Sequence, residues 1–74
     1  MTTAKKLNQA ICATIYNCRK EKGLTKSEFA LYLEIPYRSY CYYEIGDQEP
    51  TLEVVIKICN KLEISLSNML GLTT

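Results

Sequence analysis

The stretch Thr25-Lys26-Ser27-Glu28-Phe29-Ala30-Leu31-Tyr32-Leu33-Glu34-Ile35-Pro36-Tyr37-Arg38-Ser39-Tyr40-Cys41-Tyr42-Tyr43-Glu44-Ile45-Gly46 decides the fold. Thr25 and Glu28 have the spacing of a capping box: the Thr25 hydroxyl can accept from the Glu28 amide, and the Glu28 carboxylate from the Thr25 amide. A helix opens there and runs to about Leu33, with Phe29, Ala30 and Leu33 facing inward. Pro36 then forces Ile35 into an extended conformation and can itself sit in the first turn of a second helix, about Tyr37 to Ile45. Tyr40 and Tyr43 share one face of that helix, while Tyr37, Arg38, Cys41 and Tyr42 fall on the other. Two short helices joined by about four residues form a helix-turn-helix.

Helices flank this unit on both sides. Upstream, Leu7, Ala10, Ile11, Ile15 and Cys18 make an apolar stripe from about Ala4 to Lys22. Gly23 is the stop, and Lys20 and Lys22 suit the negative end of the helix dipole. Downstream, Gly46 and Pro50 bracket an acidic loop, Asp47-Gln48-Glu49. Thr51 caps a helix from Leu52 to about Leu62, for which Leu52, Val55, Ile56, Cys59 and Leu62 are the expected core stripe. Val54 and Ile58 lie off that stripe. Ser65 caps a last helix, Leu66 to Leu70, with Met69 and Leu70 inward and Gly71 as its stop. No stretch alternates cleanly like a strand, so the fold class is all-α, five helices around one small core.

Seventy-four residues fit one domain, here residues 1–74. There is no histidine, no nucleophile–base spacing and no phosphate loop, so the chain is not read as an enzyme. Cys12, Cys18, Cys41 and Cys59 form no C-x-x-C pair and read as free thiols of a reducing cytoplasm. No cofactor, metal or small-molecule ligand is expected, and no membrane span. The net charge of +1 conceals a division. Residues 1–26 hold six Lys/Arg against one acid, a net of +5; residues 27–74 hold three against seven, a net of −4. The positive field belongs to the first third of the chain.

Across Ile15 to Gly71 the chain resembles the phage-repressor-like (Cro/cI, or XRE) DNA-binding domains. The run Arg19-Lys20-Glu21-Lys22-Gly23-Leu24-Thr25-Lys26-Ser27-Glu28-Phe29-Ala30 looks like the family's basic first-helix end, Gly-Leu-Ser and Leu-Ala signature. Tyr43-Glu44-Ile45-Gly46 followed by Pro50-Thr51 looks like its Glu-x-Gly and Pro-Ser. Leu62-Glu63-Ile64-Ser65 looks like the Leu-Gly-Val-Ser before the last helix. Each piece alone is weak; their joint spacing is specific.

The resemblance implies a five-helix, lambda-repressor-like bundle that binds double-stranded DNA, usually as a homodimer, with its third helix in the major groove. It places Tyr37, Arg38 and Tyr42 at base-contacting positions, with Ser39 and Cys41 beside them. Lys26 and Ser27 fall at the phosphate-binding start of the second helix, and Gln48 is the polar residue of the loop that can still reach backbone. Arg19 and Glu44 fall where the family pairs an arginine with a glutamate. The side chains suit these tasks: Arg38 can donate twice to guanine O6 and N7, and a tyrosine ring can pack on a thymine methyl. Val54, Ile58, Leu66, Met69 and Leu72 are the expected dimer surface, since they supply more apolar surface than one small core needs.

The chain departs from the family in three places. Glu34 stands where glycine is common, so a positive φ there would be strained and Glu34→Gly should stabilise. Pro36 replaces the usual hydroxyl cap. Ile45 and the loop Asp47-Gln48-Glu49 replace residues that are often basic or amide and often touch backbone, and the two acids would repel phosphate, which predicts few backbone contacts and a shallow salt dependence. The expected function is a sequence-specific transcriptional regulator, a repressor on a palindromic operator. The alternative is a protein-interaction module on the same fold, or the antitoxin of a toxin–antitoxin pair, with a protein partner bound through the exposed tyrosines.

Overall fold

A computed structural model describes the backbone of residues 2–70 and the side chains of residues 7–70. Among these residues five helices follow one another, with no strand: α1 (Thr2–Lys22), α2 (Lys26–Leu33), α3 (Tyr37–Ile45), α4 (Leu52–Leu62) and α5 (Leu66–Leu70). None of the described helices is long and apolar enough to cross a membrane. The four cysteines are free thiols, with Cys59 buried. The expected Gly71 stop and the Leu72 dimer contact lie outside the described residues.

The compactness of the bundle comes from how its helices end. After α1, α2, α3 and α4, the capping residue is left-handed: Gly23 (φ 69°), Glu34 (φ 61°), Gly46 (φ 85°) and Glu63 (φ 56°). In each case two amides fold back on the last turn. Ile35 N–H donates to the Ala30 carbonyl (2.9 Å) and Glu34 N–H to Leu31 (3.0 Å); Ile64 donates to Cys59 (3.1 Å) and Glu63 to Asn60 (3.3 Å). This Schellman arrangement satisfies carbonyls the helix would otherwise orphan. It also throws an apolar residue (Leu24, Ile35 or Ile64) back toward the core, immediately before the next helix's cap. Thr25, Thr51 and Ser65 then each accept an amide with their hydroxyl oxygen, from Glu28, Val54 and Asn68 (3.1, 3.2 and 3.1 Å).

Two of the four left-handed residues are glutamates, which carry strain that glycine would not. Glu34 recovers part of it, because its carboxylate pairs with Lys61 and its carbonyl accepts from Lys57 Nζ at 2.7 Å. The substitution Glu34→Gly keeps the Lys57 contact, which is to the main chain, and loses the Lys61 pair, which offsets part of the expected stabilisation. Exposed Glu63 gives the cleaner test. Glu63→Gly should stabilise by about 1 kcal/mol, read as a raised urea midpoint with unchanged m-value.

The core is Ile11, Ile15, Phe29, Ala30, Leu33, Ile35, Tyr40, Val55, Ile58, Cys59 and Met69. Phe29 sits at its centre, edge-on to Tyr40 (ring centroids 5.6 Å, 83°), and Tyr32 stacks on it at 6.0 Å. Helix α4 corrects the sequence reading. Leu52 and Ile56 are 65% and 45% exposed, whereas Ile58, placed off the core stripe and on the dimer surface, is fully buried. The helix is apolar on several sides, and its packing against α2 and α5 selects Val55, Ile58 and Cys59 with Val54 and Leu62 at the margin. Met69 is likewise fully buried, so neither it nor Ile58 has surface to offer a second copy.

Candidate nucleic-acid interface

Helix α3 is fixed in orientation by Tyr40, which is fully buried. Residues two positions away on a helix lie roughly 200° round, so Arg38 and Tyr42 lie opposite it; Arg38 is exposed and Tyr42 half-buried. Ile45, seven residues after Arg38, extends the same stripe and is 62% exposed. Tyr37 stands exposed at the helix start; Ser39 and Cys41 are half-buried along the flanks of the stripe. The structure thus brings Tyr37, Arg38, Ser39, Cys41 and Tyr42 onto the free side of one helix. It also places Ile45 on this stripe; the sequence reading has Ile45 only as a departure at a position that often touches backbone, and the i, i+4, i+7 spacing from Arg38 is the signal for the stripe.

An anchored ion pair holds this helix against α1. Arg19 donates from Nε to Glu44 Oε2 (2.9 Å), from Nη2 to Glu44 Oε1 (3.1 Å) and from Nη1 to the Leu24 carbonyl (2.9 Å). The side chains are only 11% and 5% exposed. The Tyr40 hydroxyl donates to the same carboxylate. Burial alone would push the Glu44 carboxyl up, but the hydrogen bonds from Arg19 and Tyr40 and the charges of Arg19 and Lys26 outweigh it and hold it below the ordinary range. Burial, reinforced by Glu44, pushes the Tyr40 hydroxyl up, so it stays a neutral donor. The expected Arg19–Glu44 pair is therefore present, with Tyr40 as a third member.

The start of α2 is closed by its own side chains. Both halves of the capping box form: Glu28 N–H donates to Thr25 Oγ1 (3.1 Å) and Thr25 N–H to Glu28 Oε1 (2.9 Å). That uses the first and fourth amides of the helix end and leaves those of Lys26 and Ser27 outside the capping box; Lys26 is half-buried, its charge acting on Glu44, and Ser27 is exposed. Gln48 is exposed in the loop after α3, where Asp47 folds back to the Tyr42 carbonyl at 3.0 Å. Among the described residues no group of three or more His, Cys, Asp or Glu could hold a metal.

A cleft of about 460 Å³ separates α1 from the end of α3, lined by Asn8, Cys12, Tyr16, Glu44, Ile45 and Gly46 among others. Across its floor Cys12 Sγ donates to the Tyr43 carbonyl (3.1 Å) and Asn8 Nδ2 to that of Gly46 (3.4 Å). Asn8 Oδ1 finds no donor among the described residues. A Cβ on Gly46 would stand 3.3 Å from Cys12 Sγ, at a left-handed φ of 85°. Gly46→Ala should cost about 1–2 kcal/mol, measured by thermal melting.

Two short helices joined by a tight turn, the second with an exposed face carrying Arg38, define the class: a helix-turn-helix, nucleic-acid-reading domain. A family model described as Helix-turn-helix matches residues 15–68. The chain belongs to this helix-turn-helix (XRE, Cro/cI-like) family, a family of regulators rather than enzymes. It is 42% identical over 53 residues to the HTH-type transcriptional regulator YqaE of Bacillus subtilis (strain 168), covering 72% of this chain and 46% of that protein. It is 38% identical over 55 residues to the cryptic phage CTXphi transcriptional repressor RstR of Vibrio cholerae, covering 74% and 49%. The prophage-derived HTH-type regulator YonR of Bacillus subtilis is 38% identical over 53 residues, covering 72% and 49%. The chain spans about half the length of these curated relatives. No solved structure gives a significant match.

Proposed function

We propose that the protein is a sequence-specific DNA-binding transcriptional regulator acting in the cytoplasm, a repressor that occupies a palindromic operator as a homodimer. The observation that carries this reading is the stripe of α3 made by exposed Arg38 and Ile45 with half-buried Tyr42 between them, on a helix pinned from behind by Arg19, Tyr40 and Glu44. Helix α3 enters the major groove, Arg38 donates to guanine, and Tyr37 and Tyr42 pack on base edges, with Ser39 and Cys41 beside them. Lys26, Ser27 and Gln48 hold phosphates. A relative bearing the name of a phage repressor supports the repressor role.

The homodimer uses the apolar surface that α4 and α5 leave exposed. Leu52, Ile56 and Leu66 supply it, with half-buried Val54 at its edge. Two recognition helices then lie about 34 Å apart, one helical turn of DNA.

Selection from randomised duplexes at two salt concentrations tests this reading. The expected result is enrichment of a two-fold symmetric site whose affinity weakens with salt. Binding that selects no sequence and ignores salt would overturn it. A second reading, a protein-binding module, draws on Leu31, 80% exposed on α2 beside Tyr37, 55% exposed. It predicts no selected sequence.

A further inference from the structure

The cleft between α1 and α3 carries an inference that rests on the DNA-reading function and extends it. Ile45 belongs both to the reading stripe of α3 and to the wall of this cleft. Duplex lying along the stripe therefore passes the cleft mouth. Beyond Ile45 the surface divides. On one side lie Gly46 and the acidic residues Asp47 and Glu49, which repel phosphate. On the other lies the exposed face of α1, where Gln9, Ala13, Tyr16 and Lys20 follow one another at helical spacing.

That face is built for an anion's edge. The Tyr16 ring is 42% exposed and has two cations over it, Arg19 Cζ at 5.5 Å and Lys20 Nζ at 5.7 Å from its centroid. Arg19 spends its charge on Glu44, which leaves the Lys20 ammonium as the free positive group of the cluster. The Tyr16 hydroxyl makes no hydrogen bond to any of the described residues. Ala13, exposed one turn before Tyr16, keeps the surface low beside the ring, so a sugar–phosphate backbone can approach.

We propose that the α1 rim of this cleft, Tyr16 and Lys20, is a second DNA-backbone seat beside the recognition helix. Tyr16 donates its hydroxyl to one phosphate oxygen and Lys20 its ammonium to the same or the adjacent phosphate. Because phosphates are common to every sequence, this seat strengthens binding to any duplex without reading bases.

Three variants, Lys20→Ala, Tyr16→Phe and Arg38→Ala, titrated against the selected operator and an unrelated duplex over a range of salt, test the proposal. Lys20→Ala should weaken both duplexes several-fold and make the log–log salt slope shallower by about 0.9, one phosphate's counterion. Tyr16→Phe should weaken both equally without changing the slope, since it removes a neutral donor. Neither should alter the operator-to-unrelated ratio, which Arg38→Ala should collapse. Wild-type affinity and slope in both α1 variants, with Arg38→Ala behaving as stated, would overturn the seat and leave the DNA reading standing. Failure of the wild type to bind either duplex would overturn both.

Discussion

Replacing Glu44 by alanine should remove about 3 kcal/mol of stability, a large share of the roughly 5–15 kcal/mol available to a small domain. The loss does not come from a single ion pair. Arg19 commits three donors, two to Glu44 and one to the Leu24 carbonyl, and Tyr40 adds its hydroxyl from the core. Taking away the carboxylate strands a nearly buried guanidinium and a buried phenol together. Thermal melting should drop on the order of 10–20 °C. Tyr40→Phe removes one hydrogen bond and keeps the ring, so it should cost only about 1 kcal/mol. The pair also gives the protein an acid limit. The Glu44 carboxyl is held below its ordinary value of 4.5 in the folded state. It contributes stability that is fully present above that value and is lost as pH falls through the lower, folded one. Urea midpoints measured from neutral pH downward should fall below about pH 4.5, and the Glu44→Ala variant should lack this component.

Arg38→Ala should cost about 1–3 kcal/mol of discrimination at one base pair per half-site, a loss of roughly fivefold to more than a hundredfold there. Arg38 is exposed and sits opposite buried Tyr40, so the fold does not depend on it. Affinity for unrelated duplex should change little, because few contacts of this kind are made without the cognate guanine. The check is competitive binding of operator against scrambled duplex, with thermal melting to confirm that stability is retained.

What the sequence disclosed was chiefly local. The Thr25–Glu28 box, the Thr51 and Ser65 caps and the Gly23 and Gly46 stops act over one helical turn, so they can be read without knowing the partners. The Arg19–Glu44 pair was legible through the family pattern, since the two residues stand 25 positions apart. The face of α4 was not legible. Leu52, Val54, Val55, Ile56 and Ile58 are all apolar, and only packing against α2 and α5 decides that Ile58 goes in and Ile56 stays out. Met69 shows the same limit, since an inward residue of a short last helix was also counted as dimer surface. The shared cleft of Ile45 and the α1 rim was hidden for another reason. Its meaning depends on the crossing of α1 over the end of α3, a long-range arrangement without local punctuation.

The central claim is that α3 reads bases through Arg38, and methylation interference on the selected operator tests it most directly. Methyl groups placed on guanine N7 block one acceptor of the bidentate contact. One guanine per half-site is expected whose methylation weakens binding of the wild type and leaves Arg38→Ala indifferent. An operator in which every interfering guanine affects the wild type and Arg38→Ala alike would contradict it.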